Sequence, residues 1–181
     1  LRAKYIRTLG LELSRIASHL FILGGIAGTI GLYTMPNWSI ADRDRILELF
    51  EELTGGRVYH IYIIPGGVRR DLPKGFLDRV SRTMDYIEKR LKDYERLFFT
   101  NSLLLKRTRN VGVMKKEEAL EWAATGPNLR ACGVEEDVRK NQSYEAYADI
   151  DFDIPVYESG DCLARTLARR DEIKESIKII R

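Results

Sequence analysis

The chain has 181 residues, of which 44% are hydrophobic and 31% charged, with a formal net charge of +3. That length is one domain by the usual size prior and is enough to bury a core, and the balance excludes a disordered chain. The charges are mixed in sign along the sequence, so they give no nucleic-acid or membrane-surface footprint and read as solvated helix faces.

In chain order, Leu9, Leu13, Ile16, Leu20, Leu23, Ala27 and Ile30 recur in steps of four and three, one apolar stripe on a long helix spanning Leu1 to Tyr33. Its second half carries Gly24, Gly25, Gly28 and Gly31. Interior glycines weaken a helix, so a neighbouring backbone is expected to approach closely there. A membrane span is the rival reading. The uninterrupted apolar run falls short of the ~20 residues a bilayer needs, and Arg15 and His19 sit just upstream, which favours burial in protein.

Ser39 is a good N-cap for a second helix that ends at Gly55-Gly56. Residues 58–64 are β-branched and aromatic and are expected to be extended, with Pro65-Gly66-Gly67 turning the chain. A third helix is expected just after Asp71, with Pro73 in its first turn and Phe76, Val80, Met84, Ile87, Leu91, Tyr94 and Phe98 inward. A short helix follows at Lys116 to Ala124, then an irregular stretch from Thr125 to Ile154. A last helix begins near Ser159, with Leu163, Leu167, Ile173, Ile177 and Ile180 inward. The expected fold is therefore mainly α, an up-and-down helical bundle with a small extended and irregular excursion. Leu1 and Arg181 both fall inside helical patterns, so residues 1–181 are expected to be a single helical core segment, incomplete at both ends.

Three constellations stand out. Glu12, Arg15 and His19 share one face of the first helix at steps of three and four. They form either a buried proton-coupled network or a satisfied polar seam between helices. The Pro65–Asp71 loop places Gly66 and Gly67 beside Arg69 and Arg70 at the mouth of a helix, where an anion or an acidic partner loop would fit; an ordinary turn is the alternative. The Thr125–Gly133 loop carries Arg130, and Asp161, Arg165 and Arg169 follow at helical spacing as candidate structural ion pairs. No Walker or dinucleotide fingerprint occurs. The two cysteines, Cys132 and Cys162, belong to no Cys-x-x-Cys pair, so no metal site is expected in this segment and a reducing compartment is the simpler reading.

Several strings together reach further: Tyr5-Ile6-Arg7 before Glu12-Leu13-Ser14-Arg15-Ile16 and His19-Leu20; Thr54-Gly55-Gly56-Arg57; Pro65-Gly66-Gly67-Val68 before Asp71-Leu72-Pro73; and Thr125-Gly126-Pro127 before Leu129-Arg130. Asp137-Val138-Arg139-Lys140, Asp151-Phe152-Asp153-Ile154-Pro155 and Gly160-Asp161-Cys162 complete the series. In this order they resemble the D-type large subunit of respiratory complex I. That family also includes the large subunits of energy-converting membrane-bound [NiFe] hydrogenases and their sulfur-reducing relatives.

The resemblance implies a hydrogenase-like large subunit of a complex I-like oxidoreductase, peripheral on the cytoplasmic side of the cell membrane and touching the membrane through partner subunits. It implies an iron–sulfur small subunit carrying a [4Fe–4S] cluster as partner, no nucleic acid, and a shared chamber where electrons reach quinone. The implied alternative is the catalytic subunit of a hydrogenase or sulfur reductase, with Ni–Fe ligands in Cys-x-x-Cys pairs outside this segment. A different class altogether is a structural helical module with no redox role. Under the complex I-like resemblance, Thr29, Tyr59, His60, Arg69, Arg70 and Arg130 would lie on the acceptor-chamber or cluster side. Three departures shift the implied acceptor away from conventional quinone chemistry: Thr29 and Ala164 stand where the family often has aspartate, and Tyr59 where it has histidine.

Overall fold

The structure, a computed structural model, describes residues 1–181. Eight helices and one minimal hairpin make it mainly α. The long helices are α1 (Arg2–Thr29), α2 (Thr34–Thr54), α3 (Phe76–Tyr94) and α8 (Cys162–Ile180). α1 is central, packed on α2 along one side and α8 along another, with α3 closing against α2 and α8. Leu13, Ile16, Leu20 and Leu23 of α1 meet Ile46 and Leu53 of α2 and Met84, Ile87 and Tyr94 of α3 in a single core. α1 is long and apolar enough to cross a bilayer by length and composition. Its stripe is nevertheless buried against protein, while Phe21 and Ile22 on the opposite face remain exposed.

The glycines of α1 divide by role. A Cβ on Gly24 would run into Ser39 Oγ of α2, whereas one on Gly28 would meet only Pro36 Cγ at 3.6 Å. Gly24, not Gly28, is therefore the position where the two helices approach closely. Gly24→Ala is expected to lose about 1–2 kcal/mol by forcing Ser39 off its hydrogen bond to Pro36 O. Gly28→Ala is expected to be neutral or to gain up to about 1 kcal/mol of helix propensity. Thermal unfolding of the two variants side by side checks the contrast.

Several boundaries differ from the sequence pattern. α2 starts at Thr34, five residues before Ser39, because Pro36 sits in the first turn, where its missing N–H costs nothing. Ser39 is buried mid-helix rather than capping. At the other end Gly55 adopts a left-handed conformation, φ 85°, as a C-cap should. Of residues 58–64 only Ile63–Ile64 (β1) is a strand, paired antiparallel with Gly67–Val68 (β2). α3 begins at Phe76 rather than just after Asp71, since Gly75 at φ 69° breaks the turn that Pro73 starts. The end of α3 loosens into a π-helical turn, Glu95–Phe99. The sequence pattern missed α4 (Ser102–Thr108), whose N-cap Asn101 accepts from Leu103 N at 2.9 Å. After α5 (Lys116–Glu121), the stretch expected to be irregular contains α6 (Gly126–Arg130), α7 (Val138–Asn141) and a 3₁₀ turn, Tyr147–Asp149.

Candidate functional site

Glu12, Arg15 and His19 face α8 and the α6–α7 segment rather than solvent. Glu12 is fully buried, and its Oε1 accepts from Arg139 Nη1 at 3.0 Å and from Tyr147 OH at 2.6 Å. Glu172 of α8 is equally buried. Its Oε2 accepts from Arg15 Nη2 at 2.9 Å and lies 2.8 Å from His19 Nε2, while its Oε1 accepts from Arg130 Nη2 at 2.6 Å. Asp137 takes Arg139 Nη2 at 2.7 Å, and Arg130 Nη1 stands 3.6 Å from the same carboxylate. Arg15 Nε closes the circuit 3.5 Å from Glu12 Oε2.

These six side chains form a ring of alternating charge: Glu12, Arg15, Glu172, Arg130, Asp137, Arg139 and back to Glu12. Three carboxylates face three guanidinium groups, so the buried charge cancels. The ring consists of two tight arcs joined by two longer links, Glu12–Arg15 at 3.5 Å and Arg130–Asp137 at 3.6 Å. A cavity of about 350 Å³ opens over it, lined by Arg15, Arg130, Asp137, Arg139 and Tyr147 with Leu129 and Gly126.

Electrostatics follow from burial and partners. Burial alone would push the Glu172 carboxyl up, but the His19 contact and the charges of Arg130 and Arg15 outweigh it and hold it down to about 2. Burial pushes the His19 imidazole below its ordinary value against the opposing pull of Glu172, so it is neutral at pH 7. Burial, with Glu12 beside it, pushes the Tyr147 phenol well up, so that group stays a hydrogen-bond donor. Burial would raise Asp137 too, yet Arg139 holds it below its ordinary value. Arg139 also stacks over Phe152, 4.6 Å from the ring centroid.

Of the sequence-expected trio, Glu12 and Arg15 are two of the six ring members and His19 joins the assembly through Glu172. Arg15 is not the main partner of Glu12, which keeps Arg139 and Tyr147 without it. Arg15→Ala is therefore expected to cost only about 1–2 kcal/mol, the scale of one charge-assisted hydrogen bond at a partly exposed group. Chemical denaturation checks this, and a loss above that range would mean Arg15 carries more of the ring than its contacts suggest.

The other expected site residues scatter. Arg130 is buried, with its guanidinium on Glu172 and on Glu136 O at 2.7 Å, so it is spent inside the chain rather than offered to a partner. Arg70 Nε donates to Leu53 O at 3.0 Å and caps α2, while Arg69 is exposed. The Pro65–Asp71 loop sits at the start of α1, where Arg2 donates to Asp71. Arg130 lies at the level of Arg15, some thirteen residues and about 20 Å along the helix. The two arginine-bearing loops therefore do not converge. Asp161 does not pair with Arg165. As the N-cap of α8 it turns toward the helix end and accepts from Ala164 N at 2.7 Å and Asn110 N at 2.8 Å. Arg165 holds the carbonyls of Gly160 and Gly112, and Arg169 that of Arg165 and the Asn128 side chain. No three His, Cys, Asp or Glu side chains gather as metal ligands, and Cys132 and Cys162 are both free thiols.

Residues 29–181 match the family model described as respiratory-chain NADH dehydrogenase, 49 Kd subunit. The chain belongs to this family. It is 49% identical over 180 residues to the D-type subunit of the NADH-quinone oxidoreductase of Thermosipho melanesiensis, covering 99% of this chain and 49% of that one. It is 46% identical to the H-type subunit of the chloroplastic NAD(P)H-quinone oxidoreductase of Mesostigma viride, covering 99% of this chain and 46% of the relative. Among solved structures, a chain of the membrane-bound sulfane sulfur reductase, an archaeal respiratory membrane complex, superposes with a TM-score of 0.94 at 49% identity. It covers 99% of this chain and 48% of that one. The chain thus spans about half the length of the curated relatives it matches.

Within that family framework, Thr29 is the exposed last residue of α1, its hydroxyl donating to Ile26 O at 2.8 Å. Tyr59 is 85% exposed, whereas its neighbour His60 stacks on Phe50 at 4.2 Å with Nδ1 3.0 Å from Gly56 O. Ala164 is buried in the first turn of α8, donating its N–H to Asp161.

Proposed function

We propose that this chain is the helical core of the large subunit of a complex I-like, membrane-associated oxidoreductase. With an iron–sulfur small subunit it forms the chamber where electrons reach quinone or another acceptor. The observation that carries this reading is the family match over residues 29–181, with close to half the residues identical to named oxidoreductase subunits. The hydrogenase alternative is not favoured by these likenesses. The [4Fe–4S] cluster belongs to the partner, and membrane contact runs through partner subunits on the cytoplasmic side.

The surface supports a docked partner at the hairpin end. Val58, Tyr59, Ile61, Ile63 and Ile64 are all exposed within seven residues, Val58 at 74% and Ile61 at 66%. An apolar run of this kind is the mark of an interaction site. Arg69 stands beside it as a free guanidinium suited to a partner carboxylate. Identity to a quinone-named relative and to a sulfane sulfur reductase chain is the same, 49%. We therefore assign the choice of acceptor to residues outside this segment.

The test is purification of the tagged full-length subunit from its native membranes. An iron–sulfur partner showing a reduced-cluster paramagnetic signal is expected to co-purify, and Ile61→Asp together with Val58→Asp to abolish that association. A subunit that isolates without iron would overturn the reading, and a double variant that retains the partner would remove the hairpin from the interface.

A further inference from the structure

The charge balance of the whole chain hides one lopsided end. Residues 16–41 carry no Asp, Glu, Lys or Arg, and residues 96–116 carry six Lys or Arg and no Asp or Glu. The fold brings these two stretches together where α1 ends and α2 begins. Arg107 Nη1 donates to Ile30 O at 2.9 Å, and Leu97 and Phe98 share one cavity with Leu32 and Met35. Arg96, Lys106, Arg107 and Arg109 are exposed and form no ion pair, and the neighbouring carboxylates Asp93 and Glu95 are taken by Arg90 and Arg170. The cavity holds about 470 Å³, within the ~300–1,000 Å³ of small-molecule sites. Leu32, Tyr33, Met35, Trp38, Leu97 and Phe98 line it, and at its mouth Tyr33 is 75% and Leu97 45% exposed. Its walls are preformed. The π-helical turn Glu95–Phe99 supplies Leu97 and Phe98, while Arg90, anchored on Asp42, stacks 4.5 Å from the Trp38 ring centroid and fixes that side. Arg107 stands at the rim, 3.7 Å from where a Cβ on Gly31 would lie.

We propose that this end of the bundle binds an anionic phospholipid, its acyl chain in the cavity and its phosphate held at Arg107, with Arg96, Lys106 and Arg109 drawing the surrounding anionic surface. The occupant follows from the two halves of the site. An acidic peptide or a free phosphate would answer the cations and leave the apolar cavity open to water. A neutral apolar chain would fill the cavity and leave the cations without partners. An anionic head on an apolar tail answers both. Arg107 spends one nitrogen on Ile30 O, which fixes the guanidinium at the rim with its other donors free for a phosphate. Basic side chains beside exposed apolar ones are what an anionic leaflet attracts, each Lys or Arg near the surface strengthening binding about fivefold. The contact is additional to the one made through partner subunits. It needs a membrane within reach, and so rests on the proposed membrane association and not on electron transfer.

The test is photolabelling of the intact complex with phosphatidylglycerol carrying a photoreactive group on its acyl chain, followed by peptide mapping. Labels are expected on Tyr33, Trp38 or Leu97. Unlabelled phosphatidylglycerol is expected to protect the site, while phosphatidylcholine and inorganic phosphate are not. Equal protection by phosphatidylcholine would remove the headgroup from recognition. Protection by inorganic phosphate would mean an anion site alone, and labels confined to other residues would leave the cavity without a lipid; each of these overturns the proposal. Arg96→Gln with Lys106→Gln changes only exposed side chains, so the fold is kept. The pair is expected to raise the phosphatidylglycerol concentration for half-protection roughly thirtyfold, two basic residues at about fivefold each. Leu97→Asp puts a charge at the cavity mouth and is expected to abolish labelling. Labelling and protection unchanged in both variants would overturn the proposal. An unlabelled parent complex whose Arg96→Gln, Lys106→Gln variant sheds a partner subunit would make the surface a protein interface and overturn lipid binding. Electron transfer is not read in these measurements. A complex that labels as expected but reduces no acceptor would sink the proposed function and leave the lipid site standing.

Discussion

Replacing Glu172 by alanine is expected to destabilise the fold by about 3–5 kcal/mol, the range for removing one partner from a buried ionic assembly. Glu172 is fully buried and holds Arg15, Arg130 and His19 at once. Its loss strips two guanidinium groups, one of them buried, of their close counter-charge and leaves them only the longer links to Glu12 and Asp137. For a chain of this size the melting temperature should fall by roughly 10 °C. Acid should have a graded version of the same effect. The Glu172 carboxyl sits at about 2 in the fold against an ordinary value of 4.5. Its contribution is therefore complete above pH 4.5 and is lost as the pH falls toward 2, amounting to about 3 kcal/mol by linkage. His19 adds an earlier step. Its folded value is lowered, so the unfolded chain binds the proton first and stability begins to fall below pH 6.5. Denaturation midpoints measured from pH 7 to pH 2 test both. A Glu172→Ala protein with wild-type acid sensitivity would show that another carboxylate dominates.

The second large effect is expected at Gly160. Its φ is +60°, and a Cβ there would strike the carbonyl oxygen of Met114. Neither problem can be relieved alone. Gly160 O accepts from Met114 N at 3.0 Å, and Gly160 N donates to Ala131 O at 2.8 Å, so the strand-like contacts on both sides hold the residue in place. Gly160→Ala adds about 1–2 kcal/mol for the left-handed conformation and a further 1–3 kcal/mol for the clash with backbone. The expected total is about 3 kcal/mol, with the Met114–Gly160 amide hydrogens losing exchange protection before the rest of the chain. Slow exchange at Met114 in the variant would count against it.

Helix positions were readable because periodicity is a local signal. The α1 and α3 stripes appear in the structure almost residue for residue, and so does the Gly55 cap. What failed were boundaries set by competing turn signals. Ser39 looked like a cap, but Pro36 admitted the helix five residues sooner. Asp71-Leu72-Pro73 looked like a helix start, but Gly75 delayed it. The functional assembly was half legible. Glu12, Arg15 and His19 declare themselves by spacing on one helix. Arg139 and Glu172 lie 127 residues from Glu12 and 157 from Arg15, a separation no periodicity reports. One signal did exist: Glu172 and Ser176 interrupt the inward face of α8 one turn apart, and polar residues at core positions require partners. Arg130 was singled out by its loop, but the sequence does not say that its planar donor set meets an internal carboxylate, since such a set suits an internal partner as well as an external one.

The length of the connections that close the ring also bears on how the chain acquires its shape. The ring charges on α1, Glu12 and Arg15, draw their close counter-charges from Arg139 and Glu172 in the last third of the sequence, so the ring cannot form until distant parts of the chain have met. Bringing such distant segments together costs loop-closure entropy before any contact repays it, which places these contacts late in folding. Substitutions at Glu12, Arg139 or Glu172 should then leave the refolding rate nearly unchanged and act on unfolding, shortening the lifetime of the native state rather than delaying its arrival.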